Sequence, residues 1–452
     1  MNRFHYKTLQ ELQNEIDALG VDIQLTQDFS PLAAPVKIGT KQTHNAFAIL
    51  PMEGCDSNPD GSPSELVYRR YLRLAHGGAG LIWCEANAVV PEGRANPQQM
   101  MITDANKTAF ADLVKKTKAQ ALADNGYEPV MVLQLTHSGR YSRPAGQKPH
   151  PLVPQHDPIL DGRTGVADDS SIVSDAYLDS LIPQYVHSAL LAQEAGFDGV
   201  DIKSCHRYLL SELLASHTRK GKYGGSFENR SRLLLSIIEA VRSAAGKDFI
   251  VACRFNVFDA HPYPYGFGCS KDDMWSFDPS EPEALVQAMC SRGVDLLSNS
   301  AGNPYYIYPQ VTRPFDVSSM GIPVPEEHQL VSIQRLFRFS SMVQKAAGNV
   351  PVVGNGYSWL RQFIPYAGAA NLASHAISLV GLGRESFAYP DAPRDVLLHG
   401  AMNPDKVCIA CSKCTQIMRD HGTTGCAVRD AELYAPLAAQ FRREAAEREQ
   451  KK

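Results

Sequence analysis

The chain has 452 residues, a formal net charge of -4 and 44% hydrophobic residues, which is enough for one large domain with appendages. No window approaches the roughly 18 uninterrupted apolar residues of a membrane-spanning helix, and no basic stretch indicates a nucleic-acid partner. The N-terminal segment MNRFHYKTLQELQNEIDALG is polar and lacks the apolar core of a signal peptide. We therefore expect a cytoplasmic protein with no nucleic-acid and no membrane partner.

Short apolar runs alternate with segments of helical period along most of the chain. The apolar runs predict strands at 46–50, 80–84, 130–135, 199–202, 249–254, 294–297, 352–353 and 376–380. Helical periods lie between them at 64–76, 105–123, 177–195, 228–245, 282–291 and 328–347. Continuous apolar strands are typical of a parallel sheet that helices cover on both faces.

Eight such units predict an α/β fold, a (β/α)8 TIM barrel. A doubly wound open sheet is the alternative, but no GxGxxG follows the first strand, which weakens its nucleotide-binding form. We expect the barrel at 29–400, after an N-terminal extension at 1–28. A cysteine-rich segment at 401–430 and a charged C-terminal helix or tail at 431–452 would follow.

In a barrel of this kind, chemistry lies at the carboxyl ends of the strands. The residues that follow the predicted strands are rich in glycine and polar side chains, beyond what a purely structural barrel end requires. The candidate ligand-binding residues among them are Pro51, Met52, Glu53, Gly54, Gln134, Arg254, Gly354, Asn355, Gly356, Gly383 and Arg384.

The glycines after the seventh and eighth strands allow backbone N–H groups to approach a phosphate, and Arg384 can clamp the same group. Ordinary tight loops are the alternative. The Gln134 amide both donates and accepts, which suits a flat heteroaromatic ring. Arg254 can hold an anion or a ring oxygen, or it can form a salt bridge with Glu53 or Glu85.

Lys203, His206 and Tyr208 follow the fourth strand within six positions. A lysine or histidine can donate to a developing anion, and a tyrosine can deliver a proton as a general acid. We therefore predict that these three residues are catalytic. The loop AGNPYYIYP at 301–309 supplies Tyr305, Tyr306 and Tyr308, which either stack on a flat substrate or pack a cofactor or a subunit contact.

Cys408, Cys411, Cys414 and Cys426 form the pattern C-x2-C-x2-C-x11-C. Four thiolates at such spacing can hold an iron–sulfur cluster, and a structural zinc ion is compatible with the same pattern. Buried thiols are a third interpretation. Disulfides would suit a secreted protein, which the N-terminal segment does not predict.

Several of these motifs together resemble the Old Yellow Enzyme (NADH:flavin oxidoreductase) family. The motifs are YGGSFENRSR at 223–232, LQLTHSGR at 133–140, the HxYLL core at 206–210 and GLGR after the eighth strand. With the cysteines added, the resemblance is to the iron–sulfur branch that includes 2,4-dienoyl-CoA reductase and trimethylamine dehydrogenase. It covers residues from about 29 to 426.

The resemblance implies an oxidoreductase with FMN and a 4Fe-4S cluster, and NAD(P)H as a candidate electron donor. The residues at 51–54 would lie against the flavin ring, and Gln134 and Arg254 would bind its edge. Gly356, Gly383 and Arg384 would hold the phosphate. His206 would grip a small-molecule substrate, and Tyr208 would protonate it while a hydride passes from flavin N5 to an activated C=C bond.

The chain departs from the family pattern in two ways. Lys203 stands where a histidine or tyrosine is usual, which indicates an anionic substrate group; a salt bridge of Lys203 with Glu53 or Glu85 is the alternative. The family's iron–sulfur members continue into nucleotide-binding domains, whereas this chain ends soon after Cys426, so a separate electron-transfer protein or subunit is an expected partner. A dehydrogenase that oxidises a small amine or alcohol, a non-catalytic electron-transfer paralogue and a homo-oligomer remain open.

Overall fold

A computed structural model describes residues 3–146, 148–306, 309–315 and 324–450. Eight parallel strands close into a barrel in chain order. They are β1 Phe47–Ile49, β2 Leu81–Ala88, β3 Val130–Thr136, β4 Gly199–Ile202, β5 Ile250–Phe258, β6 Leu296–Ala301, β7 Val352–Gly354 and β8 Leu379–Leu382. Val380 of β8 pairs with Phe47 of β1, and this pairing closes the sheet. The predicted (β/α)8 barrel is confirmed, and the open sheet is wrong.

A helix follows each strand and covers the outside of the barrel. These helices are α1 Glu65–His76, α2 Lys107–Asn125, α3 Asp175–Glu194, α4 Phe227–Ala245, α5 Ser280–Cys290, α6 Gln329–Ala347, α7 Ile364–Ala373 and α8 Ala392–His399. Serine side chains cap α1, α3 and α4 by accepting a backbone N–H of the first turn. The periods predicted α1 to α6. They did not predict α7 or α8. The α7 sequence IPYAGAANLA is apolar or small nearly all round and has no polar face.

Shorter elements connect and extend this frame. The helical ones are Leu9–Leu19, Ser30–Ala33, Pro91–Gly93, Gly139–Tyr141, Asp161–Thr164, Asp169–Ser171, Leu209–Leu214, Pro309–Thr312, Tyr357–Phe363, Arg384–Ala388, Lys413–Arg419 and Ala431–Gln450. A two-stranded hairpin, Lys37–Ile38 with Lys41–Gln42, precedes β1. Its Ile38 is fully buried in the apolar cluster that fills the barrel interior, so the hairpin seals the amino-terminal end and leaves the other end for ligands.

Strands β2, β5 and β6 extend beyond the apolar runs that predicted them. Strand β5 continues to Phe258, and β6 reaches Ala301 through Ser298 and Asn299. Parallel pairing satisfies the backbone of these polar residues, so the ladder does not stop where hydrophobicity stops. Arg254 consequently lies inside β5 instead of at its end.

The cysteine-rich segment is fastened to the carboxyl end of the barrel. The Thr424 N–H donates to the Gly54 carbonyl at 2.7 Å, and Asp430 accepts from Arg69 and Arg73 of α1. Arg419 donates to the Pro304 carbonyl at 2.6 Å. The segment therefore forms one wall of the barrel mouth. Among the described helices, none has the length and apolar character needed to cross a membrane.

Candidate active site

The barrel mouth contains three adjoining cavities. Residues of β1 to β4, of the loop after β6 and of the cysteine-rich segment enclose the inner cavity, which has a volume of about 130 Å³. The glycine-loop cavity, of about 170 Å³, lies against the loops after β7 and β8. The outer cavity, of about 440 Å³, opens beside the loops after β2 and β3. Pro51, Met52 and His206 line both the inner and the glycine-loop cavities, so these two adjoin.

The structure brings Lys203, His206 and Tyr208 together in the inner cavity. The Tyr208 hydroxyl is hydrogen-bonded to the Tyr305 hydroxyl at 2.7 Å. Burial raises the pKa of the Tyr208 phenol well above its ordinary value, so the phenol keeps its proton at neutral pH. Burial, with Lys203 nearby, lowers the pKa of His206 well below its ordinary value, so the imidazole is neutral there.

The backbone at His206 and Arg207 is held in an unusual conformation. Both residues have positive φ angles, of 64° and 59°, which non-glycine residues rarely adopt. The His206 N–H donates to the Asn256 side chain at 3.2 Å. The Arg207 guanidinium is buried and donates to Asp259 at 3.0 Å and to Asp157 at 3.1 Å. These contacts fix the turn that aims His206 into the cavity.

Lys203 forms no ion pair within the described residues. Its ammonium lies 4.0 Å from the centre of the Tyr208 ring, which is a cation–π contact. Glu85, a candidate partner for Lys203 or Arg254, instead pairs with Arg70 at 2.5 Å and accepts the Gly54 N–H at 2.8 Å. That candidate pairing is therefore wrong, and the buried ammonium faces the cavity.

Glu53 lines both the inner and the outer cavities. Burial raises its pKa to about 7, against a lowering effect of Lys203. Its contact with the Asn96 amide is 3.3 Å long. The mouth therefore contains a carboxyl group that changes charge near neutral pH.

Gln134 projects from β3 into the inner cavity. Its amide N–H donates at 2.6 Å to Asp201 of β4, which also accepts from the Trp83 indole at 3.0 Å. Burial raises the pKa of Asp201 to about 7. The Gln134 carbonyl oxygen makes no hydrogen bond within the described part of the chain, so it is available to a ligand.

Three guanidinium groups line the glycine-loop cavity. The Arg254 Nε and the Arg384 Nη1 are buried and have no hydrogen-bond partner in the described residues. Gly356 has a φ of 95°, and a Cβ at Gly383 would lie no closer than 3.8 Å to any neighbouring atom. Asn355 lines the same cavity. Guanidinium nitrogens without partners next to a glycine loop fit a bound phosphate and an electron-rich ring.

Two of the predicted ligand-binding glycines, Gly54 and Gly354, are packed against protein side chains. A Cβ at Gly54 would lie 2.3 Å from the Arg70 guanidinium, and one at Gly354 would lie 2.8 Å from the Ile377 side chain. Both positions therefore require glycine for packing. Neither residue is among those that line the three cavities.

The four motif cysteines line one small cavity, which we call the cysteine cavity. The backbone N–H of Ala410 donates to the Cys408 sulfur at 3.4 Å, and that of Arg429 donates to the Cys426 sulfur at 3.3 Å. All ten cysteines lie within the described residues, and none forms a disulfide. In that same part of the chain, no three metal-ligating side chains are gathered closely enough to hold a single metal ion.

The cysteine cavity adjoins the barrel mouth. Cys414 lines both the cysteine cavity and the inner cavity, as does Phe387. Arg384 lines both the cysteine cavity and the glycine-loop cavity. A group held by the cysteines would therefore be separated by single side chains from a ligand in the mouth.

Sequence reasoning missed three charged residues of the mouth. Asp201 lies within an apolar strand and shows no pattern that marks it. Arg313 lines the inner and glycine-loop cavities, and Arg419 lines the outer cavity; both come from loops or short helices that periodicity does not place. Tyr305 lines the inner cavity as expected, whereas Tyr308 lies outside the described residues.

The chain is a (β/α)8 barrel with ligand-sized cavities at the carboxyl end of its strands. Comparisons with known proteins identify its family. Residues 31–263 match the model of the NADH:flavin oxidoreductase / NADH oxidase family. The chain belongs to this family of flavin-dependent oxidoreductases, which confirms the resemblance drawn from its motifs.

Known relatives extend the similarity beyond the matched region. An NADH oxidase of Thermoanaerobacter brockii is 26% identical over 389 residues, which are 85% of this chain and 53% of the relative. A cinnamate reductase of Clostridium sporogenes is 23% identical over 431 residues, covering 90% of this chain and 58% of the relative. The chain thus spans little more than half the length of these curated relatives.

Solved structures share the fold at low identity. The complex of a 2-naphthoyl-CoA reductase with 2-naphthoyl-CoA superimposes with a TM-score of 0.71 at 18% identity, covering 92% of this chain and 58% of that chain.

Proposed function

We propose that this chain is an FMN- and 4Fe-4S-dependent oxidoreductase that reduces an activated C=C bond. The observation that carries the proposal is that two cavities adjoin. One holds Lys203, His206 and Tyr208, and the other holds the guanidinium groups of Arg254 and Arg384, which form no ion pair in the described residues. The inner cavity, with its proton-donating groups, thus lies next to the glycine-loop cavity, which suits the phosphate and the ring of a flavin.

FMN would be held by residues of the inner and glycine-loop cavities. Arg384 and the N–H groups near Gly356 and Gly383 would bind its phosphate. Arg254 and the Gln134 carbonyl and amide would bind the polar edge of the ring, with Pro51 and Met52 against its face. When bound, FMN supplies the hydride for the reduction.

The chain's own side chains would prepare the substrate for that transfer. Lys203 donates from an ammonium with no ion pair in the described residues, and His206 donates from a neutral imidazole, so together they can polarise a carbonyl or carboxylate. Tyr208 keeps its proton at neutral pH and can transfer it from its hydroxyl oxygen to the substrate carbon.

Cys408, Cys411, Cys414 and Cys426 would hold the 4Fe-4S cluster, which supplies one-electron exchange with a partner. The four cysteines line a common cavity. A structural zinc ion is the competing occupant of a four-cysteine site. The proposal of a cluster rests on the resemblance to the family's iron–sulfur members, and metal analysis distinguishes the two.

The substrate class follows from Lys203 and from the relatives' names. A buried ammonium favours a conjugated compound with a carboxylate or another anionic activating group. Cinnamate, named for one relative, is a compound of this kind. NAD(P)H is the proposed electron donor, in line with the family's description, and a separate electron-transfer protein or subunit is a proposed partner.

The proposal is tested by measuring the rates of the two half-reactions separately, in the wild-type protein and in Tyr208→Phe, by anaerobic stopped-flow spectroscopy. Oxidation of the reduced flavin by cinnamate or an enone should slow by about 10²–10⁴-fold, while flavin reduction by the donor should change little. Tyr357→Phe is the control, since Tyr357 is also buried and its hydroxyl accepts from the Asn371 amide at 2.8 Å, but it lines none of the mouth cavities.

Two results would contradict the proposal. If Tyr208→Phe slowed both half-reactions equally, the phenol would have a structural role. If substrate alone bleached the oxidised flavin, the reaction would run as an oxidation, and the chain would be a dehydrogenase.

A further inference from the structure

The outer cavity is larger than the inner cavity and adjoins it. Glu53, Tyr305 and Met418 line both, so the two share one wall. The proposed chemistry uses only the inner cavity. A substrate whose reacting end fills the inner cavity can extend past these shared residues into the outer one.

Two guanidinium groups face the outer cavity, from Arg143 and Arg419. Arg419 donates to the Pro304 carbonyl at 2.6 Å and has no carboxylate within 4.0 Å in the described residues. Burial lowers the pKa of both side chains below the ordinary value for arginine. The lining of the cavity thus includes two guanidinium groups and one carboxyl group, that of Glu53.

A pair of aromatic rings lines the same cavity. The rings of Tyr141 and Tyr305 are stacked, with centroids 4.1 Å apart and planes 23° apart. The Asn303 amide donates to the Tyr141 hydroxyl at 2.7 Å and holds the pair in place. A stacked pair of this kind offers an apolar face to a planar or aliphatic part of a ligand.

We infer that the outer cavity is a binding site for the anionic tail of an elongated substrate, with Arg419 and Arg143 as its recognition residues. The substrate class is a conjugated carbonyl compound with a carboxylate or phosphate remote from the reacting bond. This inference rests on the proposed function for the position of the reacting end.

Arg419 gives the cysteine-rich segment a second role. It ends the helix Lys413–Arg419, which also presents Cys414 to the cysteine cavity. Met418 of the same helix lines both the inner and the outer cavities. The segment that would hold the cluster therefore also forms the substrate site.

A matched pair of ligands tests the inference. One is 4-phenylbut-3-en-2-one, which is neutral, and the other is its para-carboxylate, which has the same enone and a remote negative charge. Isothermal titration calorimetry on the anaerobic holoenzyme measures the affinity of each, and its iron content is measured in parallel. The wild-type protein should bind the carboxylate more tightly than the neutral enone.

Arg419→Gln should weaken binding of the carboxylate by about tenfold or more, the effect of losing a charge-assisted hydrogen bond, and change the neutral ligand by less than twofold. Arg419→Lys, which keeps the charge, should retain most of the preference, and Arg143→Gln should lose part of it. Arg442→Gln is the control, because Arg442 is an exposed residue of the C-terminal helix Ala431–Gln450 that pairs with Asp420 of the cysteine-rich segment and lines none of the mouth cavities.

The inference is overturned if the wild-type protein shows no preference for the carboxylate, or if Arg419→Gln weakens both ligands equally at unchanged iron content. Failure of the proposed function has a different signature. In that case neither ligand would be reduced, while the calorimetric preference would still report on the outer cavity.

Discussion

Seven arginines near the barrel mouth fall into two groups, and their partners separate scaffold from site. Under the loops after β1 to β4, Arg70, Arg140 and Arg207 each pair with at least one carboxylate at 2.5–3.1 Å. The cavities hold the second group, which has no carboxylate within 4.0 Å in the described residues: Arg254, Arg313, Arg384 and Arg419.

The difference indicates where ligands bind. A charge that is partly buried without a counter-ion is destabilising, so the half-buried guanidinium groups that line the cavities favour binding of an external anion there. The paired arginines stabilise the fold. The arginines without ion pairs are candidates to bind a phosphate, the polar edge of a flavin ring or an anionic group of the substrate. Variants of the two groups should therefore affect different properties.

The largest expected effect is that of a paired arginine on stability. Arg207→Met leaves Asp157 and Asp259 buried without their partner and should reduce the free energy of unfolding by about 3–5 kcal/mol, the range for a broken buried pair. Urea denaturation of the cofactor-free protein measures this change in the free energy of unfolding. Arg232→Met, at an exposed position of α4, should change that energy by no more than about 0.5 kcal/mol.

Replacing an arginine without an ion pair should weaken ligand binding and leave the stability of the cofactor-free protein unchanged. Arg384→Met should weaken FMN binding by about 10- to 150-fold, equivalent to the about 1.5–3 kcal/mol of a hydrogen bond to a charged group. The melting temperature of the cofactor-free protein should not fall, because no ion pair is broken. A large loss of stability without FMN would place Arg384 with the scaffold arginines and contradict the comparison.

The smallest expected effect is a pH dependence set by Glu53. Its folded-state pKa is raised to about 7, so the carboxyl group is neutral below that pH and negative above it. The negative form offsets Lys203, and affinity for an anionic substrate should fall as the pH rises through about 7. The decrease should be less than about tenfold, which corresponds to one pKa unit of coupling.

Calorimetric titrations of cinnamate between pH 6 and pH 8.5 measure this dependence. Glu53→Gln should remove it and keep the affinity at its low-pH value. An unchanged slope in the variant would show that another group titrates in the mouth.

The sequence predicts the barrel well because its strands are continuous apolar runs at regular intervals, and buried parallel strands require such runs. It also predicts the positions of Lys203, His206 and Tyr208, since the fold places strand ends together. It does not predict α7, whose side chains are apolar or small on nearly all sides, or the extension of β5 past Arg254, because backbone pairing continues through polar residues.

The missed site residues have a common cause. Asp201 is hidden in an apolar strand, and Arg313 and Arg419 lie in loops whose path no periodicity determines. The two arginines are site candidates because no carboxylate pairs with them in the described residues, and only the three-dimensional arrangement shows this. The positive φ angles at His206 and Arg207 are likewise set by tertiary contacts with Asn256 and Asp259.

Cofactor analysis of the protein purified without oxygen tests the central claim most directly. Denaturation should release one FMN per chain, and the protein should contain about four iron and four sulfide, as a cluster held by four cysteines requires. Replacing Cys414 by serine should remove the iron but leave the barrel able to bind FMN. A protein that stays colourless after incubation with FMN, or that contains stoichiometric zinc and no iron, would contradict the assignment.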